Sequence, residues 1–166
     1  MVHSGRGSDY HEDAVLATPA YGAAIREALP AQLGICGGHQ IIAHYHGGTL
    51  GPMRALAPGA PDLFPEYHPG QFKEKGMFPV DIVCADPLFA GLSLPCFVSE
   101  SHYWEVRDAG PGLEVIARNG NAAVQAYRHR TRPIYGVQFH PERSSEAYPA
   151  GRTILLNFFR LAAAAR

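Results

Sequence analysis

Cys36 stands in the stretch GICGGHQ (34–40), and His140 and Glu142 stand far downstream in YGVQFHPE (135–142). Those residue types can carry acyl transfer. A thiol attacks as its thiolate and needs a base to take its proton. An imidazole can do so near neutral pH, and a carboxylate partner holds it in one tautomer. Residues two apart in an extended chain share a face. The spacing therefore predicts that His140 and Glu142 project together, with Pro141 keeping the backbone extended. Each segment alone has a plainer reading: Cys36 as a small buried residue at a tight turn, and the His–Glu pair as solvated residues at a strand end.

The elements that must position them follow from pattern. QLGIC (32–36) is a compact apolar run, which predicts a strand buried on both faces. HQIIAHYH (39–46) predicts a helix closing at Gly47-Gly48. The chain must then turn sharply at Cys36, and Gly34, Gly37 and Gly38 are expected to take up the unusual φ and the crowding. The sulfur would lie at the first turn of a helix, whose unpaired N–H groups favour an anion and lower the thiol pKa. The Gly37 N–H would point where an oxyanion develops.

Elsewhere, AAIREAL (23–29) predicts a short helix, and 52–76 a Pro- and Gly-rich surface excursion ending in a solvated KEKG turn (73–76). Strands are expected at 78–83, 96–106, 113–118, 122–128 and 134–140. A closing helix at 151–166 carries Ile154, Leu155, Phe158, Phe159 and Leu161 on one stripe. The sum is a single α/β domain over 1–166, a mixed sheet with flanking helices and an antiparallel portion in the middle.

A chain of 166 residues can bury a real core, and 46% hydrophobic with 17% charged residues is ordinary for a globular enzyme or binding domain. The net charge of -1, with twelve scattered Arg and two Lys, argues against nucleic acid or an anionic membrane as partner. No run reaches the roughly 18 apolar residues of a membrane span. Cys36, Cys84 and Cys96 are odd in number and widely spaced, which fits a reducing cytoplasm, and the latter two are expected in the core. His44 and His46 do not share a helical face. No Cys/His cluster has zinc spacing, so no metal is expected.

Together, GICGGHQ and GVQFHPE resemble the nucleophile and His-x-Glu motifs of class I (triad) glutamine amidotransferases. AHYHGG (43–48), SESHYWEV (99–106) and the closing ILLNFF (154–159) agree, so the likeness runs from Ser4 to Leu161 and looks closest to free-standing type 1 members. It implies a flavodoxin-like fold with a mostly parallel central sheet. It implies Cys36 as nucleophile on the glutamine carboxamide, His140 as general acid and base, Glu142 as its orienter, and Gly37 as an oxyanion donor. Gln40, Ser101, His102 and Tyr103 would hold the substrate, Tyr103 standing where relatives have glycine. HSGRGSDY (3–10) matches the second oxyanion loop, with Gly5 or Arg6 at the donor place.

In the family that loop follows a strand–helix–strand segment. Three explanations compete: a chain truncated ahead of Ser4, a second chain that completes the sheet, or a rearranged family member. Truncation is the expectation, with a homo-oligomer or a repaired sheet edge in consequence. No cofactor is implied, and a separate acceptor synthase chain is. Two other functions stay open: a γ-glutamyl hydrolase or peptidase using the same triad, and a catalytically idle subunit.

Overall fold

The computed structural model describes residues 1–5, 18–27 and 30–165. In chain order its first elements are β1 (Val2–Gly5), α1 (Pro19–Glu27), β2 (Gln32–Cys36), α2 (Gly37–Tyr45), β3 (Thr49–Pro52) and β4 (Glu74–Ile82). They are followed by β5 (Cys96–His102), β6 (Trp104–Asp108), β7 (Leu113–Arg118), β8 (Ala126–His129), β9 (Ile134–Val137) and α3 (Ala150–Ala164).

All five residues of β2 are buried, because this strand has a neighbour on each edge and a layer on each face. It pairs in parallel with β1 on one side and with β9 on the other. The sheet runs β1-β2-β9-β8-β7-β4-β5, the strands from β9 onward pairing antiparallel, and β3 and β6 form a separate ribbon. The mixed sheet with flanking helices is thus present, and its parallel part is the part that carries the Cys36 and His140 segments.

Alternation along β2 and β9 divides the core in two. Leu33, Ile35, Tyr135 and Val137 face one layer, packed against Ile154 and Phe158 of α3. On the other face lie Ile25 of α1 and Ile41 and Ile42 of α2, with Tyr127 and Ile134. Glycine stands where a helix or a ring must touch the sheet. A Cβ on Gly34 would come 2.5 Å from the Gly38 carbonyl oxygen, so the first turn of α2 sits directly on the strand that precedes it. At Gly136 a Cβ would run into the buried Tyr127 ring, whose hydroxyl donates to the His39 carbonyl at 2.5 Å.

Several sequence expectations shift. The 96–106 run is two strands, broken at Tyr103. β4 starts at Glu74, so KEKG is strand and not a solvated turn. On α3 the stripe is narrower than expected: Ile154 and Phe158 are buried while Phe159 is exposed, its place on the inner face taken by Asn157, which donates to the Leu88 and Ala90 carbonyls. Cys96 is in the core, and Cys84 is partly exposed at its margin. Among the described residues no helix is long and apolar enough to cross a membrane.

The close approach at Gly34 is backbone against backbone, with nothing flexible to yield. Gly34→Ala is expected to destabilise the fold by about 1–3 kcal/mol through overpacking, read as a lowered urea midpoint at unchanged slope.

Candidate active site

Strand β2 ends at Cys36 and α2 begins at the next residue, so the whole reversal falls on the cysteine, with φ 51° and ψ -107°. A positive φ is uncommon for a non-glycine residue and costs of order 1–3 kcal/mol, a strain that concentrates at functional sites. The sequence reading assigned this strain to the glycines. None of Gly34, Gly37 and Gly38 adopts positive φ; they serve close packing, and Cys36 carries the strain. The turn brings the Gly37 N–H onto the sulfur. Gly5 pairs in register with Cys36 from the β1 side, and Arg6 lies outside the described residues.

On the other side, the β2–β9 register pairs Ile35 with Val137, so the chain beyond Val137 runs past the cysteine. Gln138 donates from Nε2 to the Cys36 sulfur at 3.7 Å. Two residues further, the His140 N–H donates to the Ser99 carbonyl at 2.7 Å, tying the segment to β5. His140 Nδ1 meets Glu142 Oε1 at 2.6 Å, which fixes the proton on Nδ1 and leaves Nε2 as the basic nitrogen. The route to this pair differs from the extended one expected. Pro141–Arg143 is a 3-10 turn, and Glu142 folds back onto the ring. Burial works against the Glu142 charge, but the His140 hydrogen bond and the nearby Arg143 hold its carboxyl below the usual range.

Of the expected substrate-holding residues, Ser101 meets the sulfur through its carbonyl, at 4.0 Å, and not through its hydroxyl. Gln40 spends both amide hydrogens inside the protein, on the Trp104 carbonyl at 2.9 Å and Gln138 Oε1 at 3.1 Å. Tyr103 lies between these two contact points and stacks on His68, ring centroids 3.5 Å apart.

His102 departs from expectation, since its ring is buried and engaged on both nitrogens inside the protein. Nδ1 lies 2.9 Å from the Trp104 carbonyl and Nε2 lies 3.0 Å from Glu74 Oε2 and 3.3 Å from Glu100 Oε2. Two acceptors require two ring protons, so His102 is an imidazolium, raised from its ordinary pKa by the two carboxylates in spite of burial. Glu74 is correspondingly lowered despite burial, with Asn119, Asn121 and Gln125 also donating to it.

Glu74, Glu100 and His102 have the composition of a metal-binding group. A doubly protonated ring, however, has no lone pair to offer a metal. The cluster is therefore a buried ion network beside the site. Sequence reasoning missed it and missed Gln138. The signal was present in CFVSESH, where Glu100 and His102 continue the inward face begun by Cys96 and Val98.

A family model for glutamine amidotransferase class-I matches residues 2–162. The chain belongs to the class I glutamine amidotransferase family. The glutamine-hydrolysing GMP synthase subunit of Pyrococcus abyssi is 36% identical to this amidotransferase chain over 129 residues, 78% of this chain and 58% of that one. The corresponding protein of Saccharolobus solfataricus is 38% identical over 118 residues, 71% of this chain and 54% of that one. The chain thus spans less than two thirds of the length of these relatives. Among solved structures, a Thermoplasma acidophilum protein assigned as a GMP synthase subunit superposes with TM-score 0.76 at 28% identity, covering 98% of this chain and 72% of that one. A Thermotoga maritima glutamine amidotransferase superposes with TM-score 0.62 at 19% identity, over 94% of this chain and 67% of that one, a likeness of fold.

The amidotransferase elbow does not lower its thiol pKa, contrary to expectation. Cys36 is 4% exposed. Burial, followed by the Glu100 carboxylate, pushes the thiol up to about 11, outweighing the Gly37 N–H and Arg143. Labelling of Cys36 by iodoacetamide should accordingly keep rising with pH through pH 9 without a plateau; a plateau below about pH 8 would contradict this. His102→Leu, which leaves two buried carboxylates without their cation, should cost about 3–5 kcal/mol in urea unfolding.

Proposed function

We propose that this chain hydrolyses the side-chain amide of glutamine and hands the ammonia to a separate synthase chain. The observation that carries the reading is the 2.6 Å His140–Glu142 pair, set just past the strand that runs beside Cys36. In the resting state the sulfur's hydrogen-bond contacts among the described residues are Gly37, Gln138 and Ser101. Catalytic hydrogen bonds commonly tighten only when substrate is bound.

Substrate binding would bring the sulfur and His140 Nε2 into line. The imidazole takes the thiol proton as sulfur bonds to the amide carbon, and Glu142 stabilises the imidazolium so formed. The oxyanion gathers at the Gly37 N–H, at the amino-terminal end of α2, with the Gly5 segment flanking it from β1. Collapse breaks the C–N bond, His140 returns its proton to the nitrogen, and ammonia leaves a γ-glutamyl thioester. His140 then activates water, and a second collapse releases glutamate and restores the thiol. The balance is glutamine plus water to glutamate plus ammonia.

Because the thiol starts protonated, the base is essential in this reading: little thiolate stands ready at neutral pH. The elbow thereby avoids a standing reactive thiolate, which is prone to oxidation. Kinship with the GMP synthase proteins of Pyrococcus and Saccharolobus makes a GMP-forming synthase the acceptor chain to test first.

Incubation with glutamine and with γ-glutamyl peptides, following ammonia and glutamate, tests the proposal. Glutamine turnover is expected, abolished in Cys36→Ala and reduced on the order of 10²–10⁴-fold in Glu142→Gln with little change in KM. Turnover of peptides alone would favour the γ-glutamyl hydrolase reading. Silence toward both, with no labelling of Cys36 by a glutamine-analogue electrophile, would leave an idle subunit.

A further inference from the structure

Glu100 is 1% exposed on the inward face of β5, and neither of its carboxyl oxygens has a hydrogen-bond partner. A buried carboxylate held only by a shared ion pair, with no hydrogen bond of its own, is costly, and the neighbouring contacts explain how this one comes about. Glu74 absorbs the donors of Asn119, Asn121, Gln125 and His102. One imidazolium is left to serve two carboxyl groups, with Glu100 Oε2 the more distant at 3.3 Å. One negative charge is therefore in excess unless Glu100 holds a proton. The next residue, Ser101, places its carbonyl 4.0 Å from the Cys36 sulfur, and Glu100 is the largest charged influence on that thiol.

We propose that the Glu100 carboxyl is an electrostatic brake on the Cys36 nucleophile, opposing loss of the thiol proton whenever Glu100 is ionised. The proposal rests on the reading of Cys36 as the nucleophile. With Glu100 neutral, the charged and dipolar influences named on the sulfur among the described residues are Glu142, Arg143 and the Gly37 N–H, on top of burial. Ionised Glu100 adds a charge that works against both the thiolate and the oxyanion it generates.

The groups that set Glu100 itself are Glu74 from β4 and His102 from its own strand. His39 of α2 and Glu105 of β6 act on the same His102. Burial, against the pull of His102, places the Glu100 transition at about 7. The brake would thus engage around neutral pH. Glu100 is in this sense a positioning residue, acting through the field at Cys36.

Iodoacetamide labelling of the whole chain, resolved by peptide mass spectrometry, compares wild type with Glu100→Gln across pH. Below about pH 6 the two should label at Cys36 at equal rates; above about pH 8 the variant should be several-fold faster, one pKa unit being tenfold in thiolate. Cys84 and Cys96 report any general loosening and should label alike in both proteins. A Cys36 ratio that is flat across pH, or that moves together with Cys84 and Cys96, would overturn the proposal. If the Gln variant does not fold, Glu100→Met carries the same test. Labelling reads the thiol and not turnover, so a pH-dependent ratio in a protein inactive on glutamine would count against the proposed function alone. Activity with an unshifted ratio would count against the brake alone.

Discussion

Parallel pairing of β2 with β9, with Gly34 opposite Gly136 and Ile35 opposite Val137, is the constraint from which the site follows. It takes two segments distant in sequence and ends one at a cysteine just where the other continues toward a histidine. Parallel strands direct their carboxyl ends to the same side of a sheet, and ligands in open α/β folds gather there. A register slip of one residue would turn Cys36 and Gln138 to opposite faces. Slippage is resisted because Leu33, Ile35, Tyr135 and Val137 all belong to one buried cluster, and exposing them would forfeit most of the core around α3.

The two glycines in that register serve a second purpose. By admitting the first turn of α2 and the Tyr127 ring onto the strands, they let a helix begin immediately beyond β2. The reversal is compressed into Cys36, whose backbone bears the strain of presenting a sulfur to the amide of the first helical residue. The same tight packing dehydrates the thiol. Desolvation outweighs the helix terminus, and the sulfur rests protonated. In the proposed mechanism, reactivity is thereby made conditional on the base and on whatever charge the neighbouring network carries.

That network shows how a buried charge can be held. His102 sits among acceptors on β4, β5 and the start of β6, and the Asn119–Asn121 turn closes over Glu74. It links the end of the β4–β5 hairpin to the 101–104 segment, which touches the sulfur and Gln40. The contacts that the 101–104 segment makes to the sulfur and to Gln40 are thus carried by an interior ion network in place of apolar packing alone.

Strand β2, helix α2, strand β7 and helix α3 were legible in QLGIC, HQIIAHYH, LEVIAR and the closing segment, because periodicity and glycine punctuation are local properties. The residue types of Cys36, His140 and Glu142 were legible for a related reason: their chemistry is intrinsic and their motifs are short. Which atoms meet was not local. The strain at Cys36, the folded-back Glu142, the interior placement of His102 and the burial of Glu74 in KEKG depend on strands brought together from distant parts of the chain. The sequence by itself determined the elements and the reactive groups. Tertiary structure alone decided their charge states, because desolvation and Coulomb forces depend on what lies within a few ångströms in space, whatever the distance along the chain.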